Sequence, residues 1–184
     1  PRGIVLDLRN NPGGYLQGAV EVASEWVEDG NIVIEDFGDG KKEEYEAAGR
    51  AQLKGYETAV LINKGSASAS EIVAGALQDH KEGFVVGEKS FGKGSVQTLE
   101  RFSNNASVKI SVARWLTPNG NTIESKGITP DVKVEMTEED YKEVNDPQMN
   151  KAIEILRNSP LLEKVKQATS TISTASTTAT SSSE

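Results

Sequence analysis

The chain has 184 residues, of which 36% are hydrophobic and 26% charged, enough for one globular domain with a substantial core plus a tail. A formal net charge of −8 argues against sequence-independent nucleic-acid binding, which needs a basic footprint to displace counterions from phosphates. Cysteine is absent and His80 is the single histidine, so disulfides and thiolate metal sites are excluded; no HExxH pattern is present, a zinc enzyme is not expected, and neither is any cofactor or metal.

Gly3 to Arg9 is an apolar run broken only by Asp7, the pattern of a strand covered on both faces. It enters at once, without the pattern of a leader peptide, and reads as cut from something longer. Asn10-Asn11-Pro12-Gly13-Gly14 is a dense turn cluster, and Tyr15 to Val27 places Leu16, Ala19, Val20, Ala23, Trp26 and Val27 at helical spacing. Asn31 to Asp36 and a weaker segment at about Glu43 to Ala48 pair as strands across Gly38-Asp39-Gly40. Thr58 to Ile62 is a second buried strand, followed by a Gly/Ser/Ala turn and a helix from Ser68 to His80, the form of a βα crossover. Phe84 to Glu88 is a third strand, and Ser95 to Phe102 with Ser107 to Leu116 alternate as an antiparallel hairpin. Turns follow at Thr117 to Gly120 and Thr129 to Asp131. Thr137 caps a short helix, and Asp146-Pro147 opens another through about Arg157. Residues 168–184 are almost wholly Ser, Thr and Ala, a composition expected to stay disordered. The division is thus a core at 1–135, a helical segment at 136–167 and the tail at 168–184.

The chemistry concentrates in Gly65-Ser66-Ala67-Ser68-Ala69-Ser70-Glu71 and Phe91-Gly92-Lys93-Gly94. A serine hydroxyl needs a base beside it to become a nucleophile. His80 lies twelve residues along the same helix from Ser68, roughly 18 Å away at about 1.5 Å per residue, which rules out a Ser-His pair. Lys93 fares better, because the helix, a turn at 81–83 and the strand from Phe84 bring the chain back to its starting level. A helix N-terminus gives Ser68 amide donors for an oxyanion, although Ser68 with Glu71 also fits a capping box, and Ser66 and Ser70 compete for the same role. A lysine base must be uncharged near pH 7, which for an amine of reference pKa about 10.4 costs about 4 kcal/mol and is normally achieved by burial against apolar walls. Gln97 can orient such an amine without adding charge; Asp79 nearby would hold the proton on. Gly-Lys-Gly lacks the rest of a phosphate-binding loop, and the Asn10 to Gly14 turn has the composition of a second oxyanion donor or simply of a tight turn.

Together, Leu6 to Gly14, Asn63 to Ile72, Gly87 to Gln97, Leu116 to Gly120 and Lys126 to Asp131 resemble the carboxyl-terminal processing proteases, the tail-specific serine peptidases of family S41. The resemblance implies an α/β fold with a ClpP/crotonase-like core of mixed sheet and flanking helices, incomplete at its N-terminus. It implies a serine endopeptidase with Ser68 as nucleophile, Lys93 as base, Gln97 orienting the lysine, Asp79 as a less favoured orienting residue, and the Ala69 and Gly14 amides as oxyanion donors. Also implied are protein or peptide substrates bound as extended C-terminal segments, an upstream PDZ domain absent from this chain, a homo-oligomer as an option, and an extracytoplasmic location, in the cell envelope or secreted. A noncatalytic peptide-binding or assembly module is the rival reading.

Overall fold

A computed structural model of the chain describes residues 2–104 and 106–158. The expected tail at 168–184 lies outside them, as does the end of the helical segment beyond Asn158. In chain order the described residues form β1 (Ile4–Asp7), α1 (Leu16–Ala23), β2 (Asn31–Gly38), β3 (Lys41–Glu46), β4 (Thr58–Ile62), α2 (Ala69–Asp79), β5 (Phe84–Gly87), β6 (Ser95–Arg101), β7 (Ser107–Leu116), β8 (Val132–Lys133), α3 (Glu138–Glu143) and α4 (Pro147–Asn158).

Four parallel strands in the order β1-β4-β5-β8 make the sheet that carries the site. β4 is apolar throughout because both its faces are covered. Val60 and Ile62 point into a cluster with α1 and α2, whereas Ala59 and Leu61 point towards Ala152 and Leu156 of α4, and all four are fully buried. Each of the larger aliphatic side chains contributes about 1.5–3 kcal/mol by this burial. β1 departs from expectation: Ile4 to Leu6 are only half-buried and Asp7 is exposed, because β1 is an edge strand with one neighbour among the described residues.

An antiparallel sheet in the order β3-β2-β7-β6 packs on the α1/α2 side, its Ile32, Val33 and Trp115 joining the same core cluster. The hairpins expected at β2–β3 and β6–β7 both form. α1 stops at Ala23 rather than Val27. The Ser24 and Glu25 carbonyls turn away to accept the Ala51 and Leu53 amides at 2.9 and 2.6 Å, so the last apolar positions continue as a turn whose Trp26 indole donates to the Thr58 hydroxyl at 2.8 Å. β8 is too short to show a period in the sequence. It exists because Asp131 accepts the Val85 amide at 2.8 Å and Val134 donates to the Gly87 carbonyl at 2.9 Å. α4 begins where expected, Asp146 accepting the Met149 amide at 2.9 Å as its N-cap.

Candidate active site

Ser68 stands between the β4 turn and α2 with φ 56° and ψ −120°, backbone angles that residues with a Cβ rarely adopt and that cost about 1–3 kcal/mol. Surrounding bonds over-determine it. The buried Ser66 hydroxyl donates to the Leu8 carbonyl at 2.8 Å and accepts the Asn63 amide, while the Ala67 amide donates to the Asn11 carbonyl at 3.0 Å. Ser66 is therefore a structural serine, and Ser70 is buried inside α2. Of the three, Ser68 alone keeps solvent access; it opens α2 in a capping box with Glu71, whose Oε2 accepts the Ser68 amide at 2.9 Å. The adjoining Ala69 amide opens α2 and has no acceptor among the described residues, leaving one backbone donor unused at the positive end of the helix.

The Asn10 to Gly14 turn closes over this point. Gly13 has φ +94°, and a Cβ there would lie 2.6 Å from the Ala67 carbonyl oxygen, 2.7 Å from the Ala69 nitrogen and 2.8 Å from Ser68 Cβ. Glycine is thus required by contact as well as by conformation. The Gly13 amide is engaged by the Asn11 side chain at 3.0 Å, whereas the Gly14 amide finds no acceptor among the described residues and Gly14 faces open space.

Glu71, fully buried, was legible in the sequence only as a capping partner. Its Oε2 accepts the Ser68 and Lys93 amides, each at 2.9 Å, and its Oε1 accepts the Ser90 hydroxyl at 2.5 Å and the Gly92 amide at 2.6 Å. One oxygen shared by two amides holds the Ser68 and Lys93 main-chain nitrogens within about 6 Å of each other. An acidic residue amid the small apolar run of α2 was the available signal. Gly94 completes the seat of the lysine loop: it donates to Glu124 at 2.8 Å and lies so close to the 123–124 backbone that a Cβ would meet the Glu124 nitrogen at 2.3 Å.

The Lys93 side chain itself is exposed, so the expected burial against apolar walls is not met by the described residues. Gln97 is also exposed, on β6 opposite Ser111. Asp79 lies at the far end of α2, about 12 Å along the axis from Glu71, where it accepts the Asn119 amide at 2.9 Å. His80 caps that same end, its Nε2 2.7 Å from the Asn31 carbonyl. Among the described residues no group of three or more His, Asp or Glu side chains is arranged to hold a metal ion.

Behind the turn, Arg9 is sandwiched between carboxylates, donating to Asp7 at 2.7 and 2.9 Å and to Asp146 at 2.9 Å twice. Its hydrogen bonds and charge hold the Asp146 carboxyl below the usual carboxylate range, and outweigh the upward push of burial on Asp7.

A strained serine, backbone amides without acceptors and a lysine loop tethered through Glu71 thus meet at the N-terminus of α2. The profile of peptidase family S41 matches residues 1–134. The chain belongs to that family. It is 45% identical over 135 residues to a probable CtpA-like serine protease of Staphylococcus epidermidis and 43% identical over 145 residues to a carboxyl-terminal-processing protease of Synechocystis, covering 72% and 79% of this chain. It spans only 28% and 34% of those two relatives. Among solved structures, the photosystem II D1 C-terminal processing protease superposes with a TM-score of 0.70 at 42% identity, over 73% of this chain and 35% of that one. The tricorn protease shares the fold at a TM-score of 0.60 and 24% identity, over 85% of this chain and 15% of that one. The mixed α/β architecture is that of S41 proteases, and α3 and α4 follow the matched segment.

Proposed function

We propose that this S41 chain carries the catalytic centre of a serine endopeptidase that cuts protein substrates near their carboxyl ends. The observation that carries the reading is the Glu71 carboxylate, which ties the Ser68 and Lys93 backbones to one oxygen at the free N-terminus of α2. Uncharged Lys93 takes the Ser68 proton as the hydroxyl oxygen attacks the scissile carbonyl, and the Ala69 and Gly14 amides hold the oxyanion. Lys93 then protonates the leaving amine, and water repeats the cycle on the acyl-enzyme. Because Lys93 is exposed in this chain, bound substrate or further parts of the protein supply the walls that favour its neutral form. Gln97 orients the amine in that covered state; Asp79 is too distant along α2 to do so from its present position.

Tyr15, 90% exposed directly after the oxyanion turn, and Phe91, 68% exposed two residues before Lys93, offer apolar contacts to an extended substrate. For the whole protein the same reading takes in a PDZ domain that delivers substrate C-termini, homo-oligomer formation as an option, and a site of action outside the cytoplasm, in the cell envelope or as a secreted enzyme.

In the natural full-length protein, Ser68→Ala and Lys93→Ala each abolish cleavage of an unfolded reporter protein while leaving the melting temperature near that of the parent, and Lys93→Ala also blocks labelling of Ser68 by an acylating fluorophosphonate. Full turnover in either variant refutes the assignment. The exposure of Lys93 is the observation favouring the second reading, a noncatalytic peptide-binding or assembly module. That reading predicts unlabelled Ser68 in the parent protein.

A further inference from the structure

The Arg9 guanidinium has five N–H donors, and the structure uses all of them. Nε and one Nη2 hydrogen go to Asp7, the second Nη2 hydrogen and one from Nη1 go to the two oxygens of Asp146, and the last goes to Gln148 Oε1 at 3.1 Å. The side chain is only 15% exposed. Asp146 is held in turn by a rigid support. It caps α4, whose Ala152 and Leu156 are buried against β4, and the next residue but one, Gln148, is fully buried and donates to the Val134 carbonyl at 2.8 Å.

Arg9 runs straight into the turn over the nucleophile. Asn10, at φ 55°, donates its amide to Asn63 and accepts from the Asn63 side chain; the Asn11 carbonyl receives the Ala67 amide; Gly13 lies against Ser68 and Ala69. A bidentate pair fixes direction as well as distance, so a shift at Arg9 passes along five residues of backbone into the position of the Gly14 amide.

We propose that Asp146 is a positioning residue of the active site: from the start of α4, beyond the matched family segment, it grips Arg9 and thereby sets the oxyanion turn opposite the Ala69 amide. This rests on the Ser-Lys peptidase reading above. α4 is then a brace for transition-state geometry as well as a cover for the sheet.

Asp146→Asn isolates the contact. Asparagine is an equally good N-cap and its Oδ1 keeps the Met149 and Arg9 Nη1 bonds, but its amide replaces the oxygen facing Arg9 Nη2, setting donor against donor. In the natural full-length protein, the variant is compared with Asp140→Asn, which alters the α3 cap and the side-chain bond from Asn145 while leaving every Arg9 bond in place. The assays are β-casein cleavage, inhibition by a leucine-terminated peptide boronic acid, and thermal unfolding.

The expected result is a fall in kcat of about 10- to 100-fold with KM within about twofold, boronate affinity falling in step with kcat, a melting temperature near that of Asp140→Asn, and parental activity in Asp140→Asn. Boronate affinity reports the oxyanion geometry, which a purely structural role leaves alone. Unchanged kcat and boronate affinity in Asp146→Asn overturn the proposal, and so does a loss of activity accounted for by loss of folded protein. Ser68→Ala measured alongside separates the two levels: if it remains active the peptidase reading falls, whereas an inactive Ser68→Ala beside an undiminished Asp146→Asn removes only the brace.

Discussion

Replacing Glu71 with glutamine changes one atom and leaves the shape intact, which makes it the sharpest probe of the tie between Ser68 and Lys93. The carboxylate accepts four hydrogen bonds, two per oxygen, in a fully buried position. An amide keeps one accepting oxygen and puts an NH2 where the other stood. If the oxygen stays on the Ser68 and Lys93 side, the NH2 confronts the Gly92 amide and the Ser90 hydroxyl; the hydroxyl can turn to accept, but the amide cannot. With the opposite rotamer both the Ser68 and the Lys93 amides face a donor. The milder arrangement leaves one or two buried donors unsatisfied at about 1–3 kcal/mol each, a loss of about 1–6 kcal/mol. For a domain of this size that lowers the melting temperature by roughly 2–24 °C. Thermal unfolding followed by circular dichroism measures the first effect. Cleavage of an unfolded reporter well below the melting point measures the second, expected to fall at least about tenfold as the lysine loop parts from α2. A melting temperature within about 1 °C of the parent together with undiminished cleavage would refute the reasoning, since the four bonds would then carry neither stability nor alignment.

Two other outcomes follow from the same geometry. Gly13→Ala should abolish cleavage and acylation of Ser68, because the new methyl would fall within 2.6–2.8 Å of Ala67, Ser68 and Ala69 at a backbone angle of +94°; an active variant removes the case for a close-fitting oxyanion turn. Burial, with the bond to Glu35 at 2.8 Å, pushes the Tyr45 phenol up to about 12. Its contribution to stability is complete below pH about 10, where the unfolded phenol is still protonated, and is lost as the pH rises towards about 12; ultraviolet titration of the parent against Tyr45→Phe checks this, and a component titrating near pH 10 that vanishes in the variant contradicts it.

Much of the architecture was legible in the sequence because local rules and tertiary demands agree there. The apolar run of β4, the small-residue turn into α2, the hairpin at β6–β7 and the Asp146-Pro147 start of α4 each carry a period or punctuation that survives folding. The motifs around Ser68 and Lys93 were legible for the same reason, being continuous segments with their own glycines. The last turn of α1 is not legible there, because what stops it is the claim of the 51–53 amides on its carbonyls, a contact between segments that no periodicity records. β8 leaves no mark in the sequence because two residues cannot show alternation.

The amino-acid order by itself determined the family, the parallel strand–turn–helix frame and the motifs around Ser68 and Lys93, since these depend on which residues are neighbours along the chain. Only the tertiary structure decided which serine keeps access to solvent, that Glu71 rather than Asp79 joins the two loops, that Gly13 is the residue pressed against Ser68, and that Lys93 stands open to water. Burial and hydrogen-bond partnership are properties of residues brought together from distant parts of the chain, and sequence spacing alone does not encode them.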